Sequence, residues 1–434
     1  MAYNIVIALA VFLVLIAAAY LLVPKDNHRD LYIVFISIAV LIRIIMVFYL
    51  YRVGPESFGT DGLLYHQEGI KIAQQLNSGV PFNMVNYSYT WYTVFIGIVY
   101  YLFGINRYII SFINIIFTCI SALLLLRIAI NHGYKFIQGA FISLVFFYLP
   151  NMFLWTSDSR KEASLILVCI LFLYSVQNLI KSFASKQKSL VKSAIYMILI
   201  CFLIYLATLI RVYMFAPLCA GLFISLALLF RKTKDKTLLA YAAFIVLYSM
   251  VLFFLVANPL TRNYHAVAFP TVKSDNIAQE ISTKAERINE IVSKRSIVES
   301  MVNYLLLPYP GNVDFADIKG NYALKLLLGI DMIFWYTCLA LMLTGIYSAI
   351  RKKNGFYLGL LAFTAIYIII NALVVENVAD TIMRYRSVIV GPMLLFIDLE
   401  WFSRLVSRFL WHTNRRYGSY KYKIGTISSY SVKR

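Results

Sequence analysis

A polar stretch near residue 60 carries a carboxylate that could act in proton transfer. Asp61 lies in the sequence Gly-Thr-Asp-Gly, which is followed by a pattern typical of an amphipathic helix. A positioned carboxylate can serve as a general base toward an alcohol or amine nucleophile, so Asp61 is the first catalytic candidate. Nearby candidates for substrate binding are Tyr65, His66 and Glu68. The structural alternative is that Asp61 only caps the helix, accepting bonds from its free amide groups.

A second charged stretch, residues 156–162, reads Thr-Ser-Asp-Ser-Arg-Lys-Glu. Asp158 is the second catalytic candidate. Arg160 and Lys161 are candidates for binding a phosphate group, because two cations in one short loop would stabilise an anion. The alternative is a solvated turn in which Asp158 and Glu162 favour the start of the next helix.

Three further arginines are candidates for binding a substrate phosphate. Arg384 and Arg386 are separated by a single residue. A guanidinium group presents a planar fork that matches phosphate oxygens. The alternative for this pair is interfacial anchoring, or pairing with Glu376 and Asp380. Arg211 lies in a tight hairpin between two apolar runs, where a charged side chain faces a cavity or extends to the membrane surface.

The sequence gives little support to a bound metal or another cofactor. His66 and His265 could bind a divalent cation together with an acid such as Asp61, Glu68 or Asp158, but no ligand spacing supports this. All five cysteines fall inside apolar runs, which is typical of small core residues and gives no disulfide or zinc pattern. No cofactor is therefore predicted from the sequence, and a divalent metal stays an unsupported alternative.

The composition indicates the element type that must position these residues. Of the 434 residues, 61% are hydrophobic and 14% charged, and the mean hydropathy is +0.75, values that exclude an ordinary soluble domain. Apolar runs near the ~20 residues that cross a bilayer predict an all-α, polytopic transmembrane helical bundle. We expect eleven crossings, at 3–23, 31–51, 107–128, 135–155, 163–180, 193–210, 212–230, 237–257, 326–350, 356–375 and 387–403.

The aromatic run at residues 88–104 is short for a crossing, and the basic loops decide its placement. If it is re-entrant or in-plane, every strongly basic loop lies on one side, as the positive-inside rule requires. The N-terminus is then outside, the C-terminus is cytoplasmic, and the candidate site is extracytoplasmic. The net charge of +20 is thus mostly topological, and we predict membrane lipids as partners and no nucleic acid.

The same assignment divides the chain into four parts. They are an N-terminal transmembrane module, 1–257, with a first outer loop at 52–106; an outer loop, 258–325, with an amphipathic helix from about 275 to 304; C-terminal transmembrane helices, 326–403; and a basic cytoplasmic tail, 404–434. Such a tail is attracted to anionic lipid.

The first outer loop resembles that of a known superfamily. Arg43 precedes the loop, Asp61 and Tyr65 form an Asp-x-x-x-Tyr step, the next helix ends Asn-Ser-Gly at 77–79, and an aromatic run closes in Leu-Phe-Gly at 102–104. This order is similar to the GT-C glycosyltransferases, nearest to the protein O-mannosyltransferase and lipid A aminoarabinose transferase branch.

The resemblance covers roughly residues 31 to 230 and implies a function. It implies catalysis by Asp61, a polyprenyl-phosphate-linked sugar donor, and a glycan, lipid or protein acceptor at the plasma or inner membrane. Tyr-Ser-Tyr-Thr at 87–90 replaces the family's usual Pro-Pro, and an extra N-terminal helix precedes the core, so the acceptor stays open. The alternatives are a surface-polysaccharide polymerase of the O-antigen or capsule type and a lipid-linked sugar flippase.

Overall fold

The computed structural model describes residues 2–53, 61–85, 91–184, 190–234, most of 237–251, 297–308, 322–352, 354–374 and 379–399. These residues form helices and connecting turns, and none of them lies in a β-strand. The helices with defined bounds are α1 Ala2–Leu22, α2 Arg29–Val53, α3 Asp61–Asn77, α4 Trp91–Phe103, α5 Arg107–Asn131, α6 Phe136–Tyr148, α7 Pro150–Ser157, α8 Glu162–Ala184, α9 Leu190–Ile210, α10 Phe215–Thr233, α11 Ile297–Leu306, α12 Tyr322–Lys352, α13 Gly355–Val374 and α14 Ala379–Leu394. Two 3-10 turns, Phe82–Met84 and Val212–Met214, accompany them.

Long apolar helices dominate the described part of the chain. Eight are long and apolar enough to cross a membrane, namely Tyr3–Leu22, Arg29–Arg52, Arg107–Asn131, Glu162–Phe183, Val191–Ile210, Val212–Thr233, Lys325–Arg351 and Gly355–Val374. Each overlaps one of the predicted crossings. The prediction of an all-helical, multi-pass membrane bundle is therefore confirmed.

The predicted count of eleven is not reproduced among the described residues, which give eight spans, or nine if a bent pair is one span. The predicted helix 135–155 is this pair, because α6 and α7 meet at 57°. Pro150 explains the break: proline cannot donate a helical bond and disfavours a helical residue before it. The predicted helix 237–257 is only partly described, and the part of 387–403 from residue 400 lies outside the described residues.

A buried arginine of α2 holds the break between α6 and α7. The side chain of Arg43 is fully buried and donates to the carbonyls of Phe147, at 2.8 Å, and Met152, at 3.0 Å. It also donates to the hydroxyl of Thr156, at 2.6 Å. Carbonyls left free at a helix break need such donors inside a membrane. Arg43 therefore fixes the direction in which α7 leads toward residue 158.

An acid of α12 caps the other side of the same break. Asp331, which is buried, accepts a bond of 2.8 Å from the backbone amide of Asn151. The Asn151 side chain donates to the carbonyl of Met383 in α14, at 3.0 Å. A carboxylate is favourable at a helix N-terminus, where amide groups lack helical partners. The short helix α7 is thus tied to α2, α12 and α14 at once.

The helices α3 and α4 form a tightly packed pair. The 13 residues of α4 extend about 20 Å, less than the ~30 Å hydrocarbon core, so α4 is too short for an upright crossing. A Cβ atom on Gly97 would lie 2.2 Å from Cγ2 of Ile72, and one on Gly69 would lie 2.4 Å from Cγ2 of Ile96. Glycines at these positions let the two helices approach closely, which fixes the start of α3.

Two predicted segments fall largely outside the described residues. Within the predicted outer loop only residues 297–308 and the residues from 322 onward are described, and α11 is the last part of the helix expected at about 275 to 304. The basic tail at 404–434 lies entirely outside the described residues.

Candidate functional site

The charged loop between α7 and α8 lies inside the protein. Asp158 is 5% exposed and Arg160 2%, while Ser159 and Glu162 are fully buried. A solvated turn would leave these groups in water, so that interpretation of the stretch is wrong. Burying so many charges is costly unless each is paired. Residues from α3, α5, α14 and the junction between α9 and α10 supply the partners.

One chain of ion pairs joins four of these residues. Nη1 of Arg384 lies 2.5 Å from Oδ2 of Asp61, and Nε of the same guanidinium lies 2.6 Å from Oε1 of Glu162. Nη2 of Arg211 lies 2.7 Å from that Glu162 oxygen. Glu162 therefore orients two arginines, and one of them reaches the first catalytic candidate.

Tyrosines hold the guanidinium group of Arg211 in this chain. It lies 4.1 Å from the ring centroid of Tyr385 and donates to the hydroxyl of Tyr213, at 3.0 Å. Stacking on an aromatic face stabilises a desolvated cation. The nearby tyrosines and Glu162 hold the pKa of Arg211 above its usual value although burial acts to lower it. The Arg211 side chain thus remains a fixed positive charge.

Lys161 stands beside this chain of ion pairs. Its ammonium lies 5.8 Å from the ring centroid of Tyr65, and among the described residues it makes no ion pair. Burial, followed by the charge of Arg211, lowers the pKa of Lys161 to about 7. Oε2 of Glu162 is likewise buried without a hydrogen-bond partner in the described part of the chain. A donor and an acceptor therefore remain available at the site.

A second group of ion pairs surrounds Asp158. Its Oδ1 lies 2.9 Å from Nη2 of Arg107, its Oδ2 lies 3.1 Å from Nε of Arg160, and the amide of Ser159 donates to Oδ1 at 2.7 Å. Burial raises the pKa of Asp158, but the two arginines and this amide outweigh it and hold the pKa below its usual value. Asn114 of α5 donates to the carbonyls of Asp158, at 2.5 Å, and Arg160, at 2.9 Å, which fixes the loop.

Gly62 joins the two groups. The hydroxyl of Ser159 donates to the carbonyl of Gly62, at 3.1 Å. A Cβ atom at position 62 would lie 2.2 Å from Oδ2 of Asp158 and 2.9 Å from Nη2 of Arg107. Only glycine lets the start of α3 contact the Asp158 carboxylate, and this contact places Asp61 beside Lys161 and Arg384.

Not every predicted residue joins the site. Arg386 is buried away from Arg384: it donates to the carbonyls of Leu305, at 3.1 Å, and Leu307, at 3.0 Å. Glu68 lies further along α3 and pairs with Lys71 at 3.3 Å. The predicted pair of arginines at 384 and 386 is thus divided, and only Arg384 faces Asp61.

The other predicted residues of α3 lie on two sides of that helix. Tyr65 is buried next to Lys161, as described above, and contacts the ring of Tyr92 edge to face. His66 lies on the side near the start of α5, and its Nδ1 is 2.7 Å from the hydroxyl of Tyr100 in α4. No group of three or more histidine, cysteine or acidic residues that could hold a metal ion occurs among the described residues.

The described ion pairs leave an excess of positive charge around Asp61. Three carboxylates of this site meet five basic side chains, namely Arg107, Arg160, Lys161, Arg211 and Arg384. An excess of cations in a partly buried site favours an anionic ligand.

No family model matches this chain, and no curated protein or solved structure matches it. The resemblance to GT-C enzymes therefore depends only on the sequence elements between Arg43 and the Leu-Phe-Gly at 102–104. The chemistry of the site has to be argued from its own residues.

Sequence reasoning missed two members of the site. Glu162 was interpreted only as a residue favouring a helix start, and Arg107 was not singled out. One signal was available for Glu162, which directly precedes the predicted span 163–180: an acid at the end of an apolar span that is buried needs a basic partner. The pairing of Arg107 with Asp158 has no such signal, because Arg107 begins α5 at a position where a surface arginine is ordinary.

Proposed function

We propose that this protein is a membrane glycosyltransferase that moves a sugar from a polyprenyl-phosphate donor to an acceptor hydroxyl, with Asp61 as the general base. The proposal includes membership of the GT-C superfamily, eleven crossings, a cytoplasmic C-terminus and an extracytoplasmic site at the plasma or inner membrane. The acceptor is a surface glycan, a lipid or a protein.

The observation that carries the proposal is the environment of Asp61. Its side chain is 37% exposed, the largest exposure among the three carboxylates of the site, whose other two members are at most 8% exposed. One oxygen is held by Arg384, and the other makes no hydrogen bond to the described residues. An oriented carboxylate with one open oxygen suits proton abstraction from an incoming hydroxyl.

The reaction needs one displacement. The acceptor hydroxyl oxygen forms a bond to the anomeric carbon while Asp61 takes its proton. The bond between that carbon and the phosphate oxygen breaks, and the electron pair leaves with the lipid phosphate. A single displacement inverts the anomeric configuration.

The leaving group sets what the remaining residues must do. A lipid phosphate needs little activation, but its growing negative charge must be stabilised by positioned cations. Arg384 pairs with Asp61, the charge of Lys161 interacts with that of Asp61, and Arg211 is fixed by Glu162, which also holds Arg384. These residues are the proposed phosphate ligands.

Asp158 is the less suitable base. Both of its oxygens are bonded to arginines and its side chain is 8% exposed. A carboxylate held in this way is a poor proton acceptor, since protonation would break two ion pairs. We assign Asp158 a positioning role, in which it orients Arg107 and Arg160 beneath Gly62.

The two alternatives differ in what they demand of the site. A polymerase would use the same chemistry and would differ by releasing a long chain. A flippase would need charged groups along a path through the bundle, and the buried charges Arg43 and Asp331 are candidates. Their described hydrogen bonds, however, all go to groups at the α6–α7 break: Arg43 donates to two carbonyls and to the hydroxyl of Thr156, and Asp331 accepts from the amide of Asn151. We therefore favour the transferase.

The decisive test is transfer of radiolabelled sugar from synthetic polyprenyl-phosphate donors to membrane extracts. Wild-type protein is compared with Asp61→Asn and with Asp158→Asn at matched expression, and donor binding is measured in parallel. We expect Asp61→Asn to lose transfer by about 10²–10⁴-fold while it retains donor binding. Equal transfer by Asp61→Asn and wild type would reduce Asp61 to a helix cap. No transfer from any donor would favour the polymerase or the flippase.

A further inference from the structure

A groove on the His66 side of α3 has the features of a second anion site. It has a volume of about 520 Å³ and lies where the starts of α1 and α5 meet α3 and the end of α4. Its polar lining comes from Asn4, His66, Asn106 and Arg107. Among the described residues that line it there is no carboxylate. The groove is distinct from the Lys161 side of α3, yet Arg107 connects it to the Asp158 ion pairs.

The arginine in the groove keeps one nitrogen available. Nη2 of Arg107 pairs with Asp158, and Nε donates to the hydroxyl of Ser159, at 3.0 Å. Among the described residues no hydrogen bond to Nη1 is formed, and Arg107 lines the groove. Because Asp158 also pairs with Arg160, its single negative charge is divided between two guanidinium groups, and Arg107 keeps part of its positive charge. An anion in the groove would balance it.

Two further groups add donors at the same place. Burial and the nearby charge of Arg107 lower the pKa of His66, so its ring is neutral near pH 7. If its Nδ1 accepts from the hydroxyl of Tyr100, 2.7 Å away, Nε2 carries the proton and acts as a donor. The start of α5 contributes the positive end of a 25-residue helix, with Asn106 as its N-cap.

The rim of the groove is apolar, which indicates what kind of molecule brings the anion. Tyr3 is 59% exposed, Phe103 63% and Ile105 52%. Tyr3 begins a helix that is long and apolar enough to cross the membrane. Aromatic and apolar groups at such a level are typical of the membrane interface, where lipid head groups lie. A polar floor and an apolar rim fit a phosphate carried on a lipid.

We propose that this groove binds the diphosphate of a lipid-linked acceptor, which makes the acceptor a polyprenyl-diphosphate-linked glycan. The inference depends on the proposed transferase function. Arg107 contacts Asp158, and Asp158 contacts the Gly62 position beside Asp61. A glycan that extends from a diphosphate in the groove therefore reaches the catalytic candidate.

The test measures binding and needs no transfer. Full-length protein is placed in phosphatidylcholine nanodiscs, and binding of a radiolabelled short-chain polyprenyl diphosphate is titrated. Ile105→Trp fills the groove at an exposed position, and His66→Leu removes a donor. Ile198→Trp, at an exposed position on α9, is the matched control. We expect both groove variants to weaken binding at least tenfold and the control to bind as wild type does.

Three outcomes would overturn the proposal. They are unchanged binding by Ile105→Trp, displacement of the probe by an equal amount of phosphatidylglycerol, and loss of binding in Arg384→Gln as large as that in the groove variants. If Arg384→Gln loses transfer but still binds the polyprenyl diphosphate probe, the result supports binding of the diphosphate in the groove. If the groove variants behave as expected and no donor gives transfer, the proposed function fails and the diphosphate site stands.

Discussion

Nη1 of Arg384 lies 2.5 Å from Oδ2 of Asp61, although Asp61 lies in α3 and Arg384 in α14, the last helix with defined bounds. The same guanidinium is anchored through Nε to Glu162, whose side chain is fully buried. The two bonds differ in accessibility: Asp61 is 37% exposed and Glu162 is not exposed. Glu162 therefore keeps Arg384 in place, while the Asp61 end of the guanidinium group stays accessible to a ligand phosphate.

This arrangement predicts that both the charge and the forked shape of the Arg384 side chain are needed for transfer, and Arg384→Gln and Arg384→Lys separate these two contributions. We expect Arg384→Gln to lower kcat/KM for the donor by about 10²–10³-fold, because one positioned cation is lost at the leaving phosphate. Lysine restores the charge but offers no fork to join two carboxylates, so Arg384→Lys should recover only part of the loss. Steady-state transfer kinetics would measure this. Full activity of Arg384→Lys would show that the bridge to Glu162 is unimportant.

Glu162 is predicted to be a determinant of stability as well as of the site. Glu162→Gln leaves two buried arginines, Arg211 and Arg384, without their shared carboxylate. Removing one partner of a buried ion pair costs about 3–5 kcal/mol. We expect a clear fall in the temperature of unfolding, measured in detergent by intrinsic fluorescence.

The control for that experiment is Lys71→Gln. Lys71 pairs with Glu68 at 3.3 Å, but its side chain is 66% exposed, and exposed pairs contribute little to stability. An equal effect of Glu162→Gln and Lys71→Gln would contradict the role given to Glu162.

Gly62 is predicted to be intolerant of any side chain. In Gly62→Ala the new Cβ atom would lie 2.2 Å from Oδ2 of Asp158, whose carboxylate is held by two arginines and cannot move freely. We expect a destabilisation of about 1–3 kcal/mol from overpacking and a loss of transfer. Gly329→Ala on α12 is the matched control, since nothing lies within 4 Å of the added atom. Wild-type stability and activity of Gly62→Ala would refute the close contact.

The sequence identified most residues of the site, but it did not predict which of them form ion pairs with each other. Asp61, Lys161, Arg211 and Arg384 were singled out because charged groups beside apolar runs need a reason, and the structure brings these four together. Arg386 does not join them. On a helix, residues two positions apart point about 200° apart, so a pair at 384 and 386 cannot serve one ligand.

The fold was predictable to a similar degree. Length and hydropathy identified all eight long spans, because crossing a bilayer fixes both quantities. The bend at Pro150 was missed, since proline also occurs in straight or gently kinked spans where neighbouring groups satisfy the freed backbone. Here the deciding partners are Arg43 and Asp331, which come from distant helices that the local sequence does not reveal.

The last prediction concerns pH and Lys161. Burial lowers the pKa of Lys161 to about 7, reinforced by Arg211 and Arg384 and opposed by Glu162 and Asp61. The side chain is charged below this value and neutral above it, so donor affinity should fall as pH rises above about 7. A bound phosphate favours the charged form and raises the pKa, so donor binding takes up a proton.

We therefore expect the KM for the donor to rise above pH 7, by up to about tenfold per pH unit, while kcat changes less. Lys161→Arg should remove this rise, because arginine stays charged over the whole range. Lys161→Met should give a high KM at every pH. Transfer assays from pH 6 to pH 9 would measure the donor KM of the wild type and both variants as a function of pH. The upper limit is about two units above the pKa of Lys161. If Lys161→Arg shows the same dependence of the donor KM on pH as wild type, the titrating group is not Lys161, and Lys161 is not part of the phosphate site.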